Sequence, residues 1–167
     1  MNSWAIKLNK EYFKFSCAHF LIFPDGTKER LHGHNYQVTV DIEGDLSEEG
    51  LVIDFLDAKP VVRELCDALD EHWLVPTEHP DLEIETLDDG HTCVSYRECR
   101  YVVPSDEILE LPINNTSVEN LSTWFGETLR ERLVQNFGAT QVRRLSVSIS
   151  ETSGQSGVFT YRSDVGR

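Results

Sequence analysis

The chain is poor in positive charge, has no long apolar run and shows no paired cysteine spacing. Its 167 residues carry 15 Lys and Arg against 29 Asp and Glu, a formal net charge of −14. A surface that tracks nucleic-acid phosphates needs clustered cations, so no nucleic-acid partner is expected. No segment approaches the roughly 20 apolar residues that span a bilayer, and Met1 to Lys7 lacks a signal-peptide core, so no membrane partner is expected and the expected compartment is the cytoplasm. The four cysteines, Cys17, Cys66, Cys93 and Cys99, have no C-x-x-C spacing and read as free thiols of a reducing compartment. Repeats, linkers and low-complexity tracts are also missing. With 40% hydrophobic residues, the chain is expected to form one domain over 1–167 with its own core.

What is present is histidine in a pattern. His32 and His34 flank Gly33 in Leu31-His32-Gly33-His34-Asn35-Tyr36, and residues i and i+2 of a strand project from one face. His19 closes an upstream segment of alternating character, and an antiparallel partner strand carries its ring to the same spot. Three imidazoles with a fourth tetrahedral position open are the arrangement of a catalytic zinc. Spacing alone leaves a second reading, hydrogen-bonded surface or interface histidines. His79 and His91 read as structural.

Lys7 to Ala18 and Tyr36 to Glu43 alternate as strands of an opening hairpin, joined through Pro24-Asp25-Gly26 and the polar run Thr27 to Arg30. Asp54 reads as the N-cap of a helix reaching about Asp70, with Pro60 inside and Val62, Leu65, Cys66 and Leu69 at helical spacing. Leu82 to Leu87 and Cys93 to Val103 flank Asp88-Asp89-Gly90, which predicts a second hairpin inside an insertion over 81–112. Thr116-Ser117-Val118-Glu119 reads as a capping box, followed by the stripe Leu121, Trp124, Phe125, Leu129 and Leu133, with Gly138 as the stop. Arg144 to Glu151 and Gly157 to Tyr161 form a closing hairpin. The expected class is α+β, order ββααββ, an antiparallel four-stranded sheet with two helices on one face and an inserted hairpin between the helices.

The F-x-x-A-H and L-H-G-H-N-Y segments, Ile53-Asp54-Phe55, Leu69-Asp70, the Thr-Ser-x-Glu-Asn-Leu helix start and the late Ser-Glu-Thr together resemble the 6-pyruvoyltetrahydropterin and 6-carboxytetrahydropterin synthase family over nearly the whole length. The resemblance implies a T-fold subunit, zinc on His19, His32 and His34, a pterin substrate, 7,8-dihydroneopterin triphosphate, and a homo-oligomer, trimer or hexamer, with active sites between subunits. It implies that Glu151 grips the pterin, accepting from its 2-amino group and ring N–H. It assigns Thr116 and Ser117 to the segment beside the pterin ring, although a helix cap explains them equally.

Two departures concern catalysis. Most members of the resembled family carry a cysteine four or six residues before the first histidine of H-G-H, where this chain has Lys28 and Gly26. Glu29 takes its place, the mark of a variant branch leading to 6-hydroxymethyl-7,8-dihydropterin for folate; an ordinary charged loop residue is the competing reading. The family's Leu-Asp-His is here Leu69-Asp70-Glu71-His72. Either Asp70 and Glu71 form a carboxylate pair for proton transfer, or His72 enters from one position later. Three readings stand: a zinc-dependent lyase releasing hydroxymethyldihydropterin, a 6-carboxytetrahydropterin synthase of queuosine biosynthesis, and a non-catalytic pterin-binding paralogue.

Overall fold

The computed structural model describes residues 3–138 and 142–163. Its order is β1 (Trp4–Leu8), β2 (Lys14–His19), β3 (His32–Gly44), α1 (Phe55–Leu69), β4 (His72–Pro76), β5 (Leu82–Thr86), β6 (His91–Tyr96), β7 (Cys99–Pro104), a short 3-10 turn, β8 (Ile108–Leu111), α2 (Val118–Phe137), β9 (Val142–Thr152) and β10 (Gln155–Arg162).

The main sheet has seven strands in the order β10-β9-β3-β2-β4-β8, with β1 on β3. It replaces the expected four-stranded antiparallel sheet for two physical reasons. The anticipated strand Lys7 to Ala18 breaks after Leu8, where Phe13 N–H bonds to the Lys10 carbonyl, and its halves pair successively along β3, Leu8 with Val40 and Lys14 with Gln37. Beyond α1, β4 joins β2 and then β8 in parallel. The run Trp73-Leu74-Val75 is buried on both faces, so it lacks the alternation that marks a half-buried strand.

The helices follow their end signals. Asp54 Oδ1 accepts from Leu56 N–H at 2.8 Å and caps α1, which ends at Leu69. On α2 the cap is Ser117, accepting from Asn120 N–H at 3.3 Å, one residue later than the predicted box; Thr116 is drawn off to the Phe20 carbonyl. Gly138 closes the helix at φ 85. Gly157 of β10 lies against the first turn of α2, and a Cβ there would overlap the Val118 carbonyl.

Two cores result. Phe15, Tyr36, Val38, Val40, Ile42, Val147 and Ile149 turn one face of the sheet to Val62, Leu65 and Leu69 of α1 and Leu121, Phe125 and Leu129 of α2. On the opposite face Phe20, Ile22, Trp73 and Val75 pack against Val94 and Tyr96. These last belong to a separate three-stranded sheet, β5-β6-β7. The predicted second hairpin is therefore a meander: Cys93 to Val103 turns at Arg97, whose φ of 51 lies in the left-handed region.

Candidate metal centre and active site

The centre is the helix-covered face continued past its apolar part. In the β2–β3 register Phe15 faces Tyr36, Cys17 faces His34 and His19 faces His32, so apolar pairs give way to imidazoles without a change of side. β3 starts at His32, earlier than the predicted Tyr36, and so holds both H-G-H rings on strand backbone. From the other edge of β3, β9 pairs Ser150 with Gln37, and Glu151 follows to reach the same face. Ligand atoms of His19, His32, His34 and Glu151 lie within 4.8 Å of one another.

The hydrogen bonds set the tautomers. His19 is 2% exposed, and its Nδ1 lies 3.2 Å from the Thr116 carbonyl and 3.4 Å from the Thr116 hydroxyl. The Thr116 hydroxyl donates to the Phe20 carbonyl at 2.9 Å. His32 Nδ1 faces the Arg30 carbonyl at 2.7 Å. Because a carbonyl only accepts, both Nδ1 atoms carry the proton, leaving both Nε2 lone pairs toward the cluster, the arrangement a metal-binding histidine needs. Burial, then the neighbouring His32, lowers the His19 pKa below the ordinary value, which keeps the ring a neutral donor. His34 Nε2 stands 2.9 Å, and His19 Nε2 3.6 Å, from Glu151 Oε1. Three imidazoles, two of them with the tautomer fixed by a backbone carbonyl, beside one carboxylate fit zinc, whose bonds to nitrogen run about 2.0–2.1 Å.

Tyr36 was not singled out from sequence. Its hydroxyl is 3.0 Å from His19 Nε2 and 3.4 Å from Glu151 Oε1, and burial first, with nearby Cys17 and Glu151, pushes its pKa up, so the proton stays on. The signal was available: Tyr36 lies two residues beyond His34 on the same strand face.

Glu29 accepts from Leu21 N–H at 3.0 Å through Oε2, which also lies 3.9 Å from His32 Nε2. It is thus on the rim of the cluster. Thr116 touches the cluster at the His19 ring, and Ser117 serves as the helix cap beside it. Asp70, Glu71 and His72 are elsewhere: Asp70 Oδ1 accepts from Ser16 N–H at 2.6 Å, Glu71 N–H donates to the Ser16 carbonyl at 2.7 Å with φ 58, and His72 Nδ1 lies 2.7 Å from the Asp70 carbonyl. Among the described residues of one chain, none of the three hydrogen-bonds to the histidine cluster. Glu71 and His72 line a cleft of about 430 Å³ together with Ser16, Asn35, Trp73, Glu107 and His34 of the cluster.

A two-helix mixed sheet that ends in three imidazoles, with carboxylates at the mouth, has the layout of a T-fold enzyme. The chain belongs to the 6-pyruvoyl tetrahydropterin synthase family, whose model matches residues 7–162. It is similar to a Methanocaldococcus jannaschii protein provisionally named a 6-carboxy-5,6,7,8-tetrahydropterin synthase, 33% identical over 147 residues, 87% of this chain and 88% of that one. The Haemophilus influenzae 6-carboxy-5,6,7,8-tetrahydropterin synthase is 39% identical over 48% of this chain and 61% of its own. Among solved structures, the 6-pyruvoyl tetrahydropterin synthase of Plasmodium vivax superposes with a TM-score of 0.90 at 28% identity, covering 98% of this chain and 100% of that one. Two further P. vivax structures carry a catalytic glutamate changed to alanine or cysteine.

Proposed function

We propose that this chain is a zinc-dependent lyase that cleaves the side chain of 7,8-dihydroneopterin triphosphate to 6-hydroxymethyl-7,8-dihydropterin. The observation that carries the reading is the Glu29 carboxylate beside His32 Nε2, in a chain without cysteine at positions 26 and 28. The catalytic glutamate of the P. vivax enzyme supports it. His19, His32 and His34 would hold the zinc, which supplies Lewis-acid polarisation of the substrate's side-chain hydroxyls.

The chain's own groups do the rest. Glu29 takes the proton of the 2′ hydroxyl; C2′ becomes an aldehyde as the C1′–C2′ bond breaks, and the electron pair passes into the C6=N5 unit of the dihydropterin. A proton returned at C1′ completes the hydroxymethyl product, and the two-carbon fragment C2′–C3′ leaves as the triphosphorylated aldehyde. Tyr36, held protonated, donates to Glu151 and keeps that carboxylate oriented to accept the pterin 2-amino and ring N–H donors, with Thr116 and Ser117 shaping the end of α2 beside it. Asp70, Glu71 and His72 enter from a neighbouring copy in a homo-oligomer, trimer or hexamer; that their hydrogen bonds within one chain go to Ser16 and to their own backbone supports this placement.

A second reading, synthesis of 6-carboxytetrahydropterin, is favoured by the names of the M. jannaschii and H. influenzae relatives. Mass spectrometry of the products from the zinc-loaded protein and 7,8-dihydroneopterin triphosphate separates the two. Hydroxymethyldihydropterin with the triphosphorylated aldehyde is the expected result. Carboxytetrahydropterin moves the chain to the second reading, and substrate retained without product makes it a binder.

A further inference from the structure

We propose that the small sheet β5-β6-β7 is a clamp that sets the position of Glu29, with Tyr96 and Lys28 as positioning residues. The inference rests on Glu29 being the base of the reaction above.

Glu29 rides on a short hairpin between His19 and His32. Its rungs are Glu29 N–H to the Leu21 carbonyl at 2.9 Å, a bridge between Ile22 and Lys28, and Phe23 N–H to the Thr27 carbonyl at 2.8 Å, with Gly26 N–H on the Phe23 carbonyl at the tip. So short a ribbon has little stability of its own. Asn115 braces the outgoing strand, its Nδ2 donating to the Ile22 carbonyl at 2.8 Å and its Oδ1 accepting from Ile22 N–H at 3.3 Å. Among the described residues, the side chains from outside the loop that hydrogen-bond its tip and returning strand come from the small sheet. Tyr96 donates its hydroxyl to the Gly26 carbonyl at 2.9 Å. Lys28 Nζ donates to the Tyr101 hydroxyl at 2.8 Å and to the Glu29 carbonyl at 2.9 Å, and lies over the Phe20 and Tyr101 rings at 4.5 and 5.1 Å from their centroids. One ammonium therefore ties the backbone of Glu29 to β7. Arg97, at the turn between β6 and β7, covers Gly26, whose φ is +80 and where a Cβ would overlap the guanidinium.

These contacts reach the backbone of the loop, while the Glu29 carboxylate is held by Leu21 N–H with Oε2 3.9 Å from His32 Nε2. Such a brace acts on rate more than on binding, because a carboxylate displaced by about 1 Å from a reacting proton can cost on the order of 100-fold.

The test compares the zinc-loaded full chain with its Lys28→Met and Tyr96→Phe variants, each also combined with Glu29→Gln, using 7,8-dihydroneopterin triphosphate. Each single variant is expected to lose about tenfold or more in kcat with KM and zinc content unchanged. In the Glu29→Gln background the same changes add no further loss, since the group they hold is gone. Equal losses in both backgrounds, or none in the parent, overturn the clamp. A Glu29→Gln protein as active as the parent overturns the assignment of the base instead, and hydrogen exchange then decides the clamp separately. Amides of residues 21–29 in Tyr96→Phe exchange about tenfold faster or more while β3 and β9 stay protected. No change in the loop, or acceleration spread over the chain, overturns the proposal.

Discussion

The two faces of the main sheet are built for different tasks. The face under α1 and α2 is an uninterrupted two-residue pattern that passes from Phe15 and Tyr36 to His19 and His32, so the candidate metal ligands share the rigidity of the core. The opposite face carries a smaller core beneath β5-β6-β7 and, at its border, the loop that presents Glu29. The geometry of the histidine cluster is thus set by strand register, whereas the proposed base sits on a loop contacted by side chains from another sheet. A metal site tolerates little displacement, and the candidate centre lies where displacement is hardest.

The comparison is broken most directly at the ligands. In His34→Ala, zinc bound per chain, measured by plasma mass spectrometry, falls well below that of the parent and turnover drops to background, while the melting temperature of the metal-free protein hardly moves; retained zinc would detach His34 from the centre. Phe125→Ala attacks the helix-covered core, where an excised phenyl ring costs about 3–5 kcal/mol. Calorimetry should show a fall in Tm of about 6–20 °C for a chain of this size, yet zinc stoichiometry below the transition should match the parent. A smaller effect comes from acid. His19 has its pKa lowered in the folded state by burial, so below the ordinary value of 6.5 the unfolded chain takes the proton first. Metal-free protein therefore loses stability as pH falls below that value, by up to about 1.4 kcal/mol per pH unit, and a His19→Gln variant shows a shallower slope in denaturant titrations. The mildest probe is thiol labelling. Cys17 and Cys66, on the helix-covered side, have pKa values pushed up to about 12, first by burial, while Cys99 on the small sheet is exposed. Iodoacetamide at pH 7.5 should modify Cys99 in the native protein and spare the other two, as peptide mapping would show.

Much of the helix-covered side could be read from residues alone, because it obeys local rules. Period-two alternation and the H-x-H spacing brought His19, His32 and His34 to one face, and Asp54, Gly138 and the apolar stripe of α2 marked the helix limits. Where two chain segments compete, local rules fail. Thr116 is a sound cap by type, yet the Phe20 carbonyl and the His19 ring claim it, so Ser117 caps instead. β4 escaped because burial on both faces erases alternation, and on one of those faces the burial comes from the sheet β5 to β7, whose docking no local pattern encodes; β8 is a four-residue strand with only Leu111 buried, too short to show a period. The environment of Glu29 was illegible for the same reason. Gly26 and Lys28 gave no sign that one lies under Arg97 and the other bonds to Tyr101. The segment Asp70 to His72 matched a motif by position, but its hydrogen bonds go to Ser16 and to its own backbone.

The contact between Gly157 and the Val118 carbonyl has a consequence for heredity as well as for packing. Any side chain at Gly157 must push the first turn of α2 outward. Thr116, two residues before Val118, would be dragged along, and with it the acceptor that fixes the His19 ring. An allele altering Gly157 would therefore present in a genetic screen as a lesion of the metal centre, rescued by excess zinc rather than by lower temperature, although the residue touches none of the ligands.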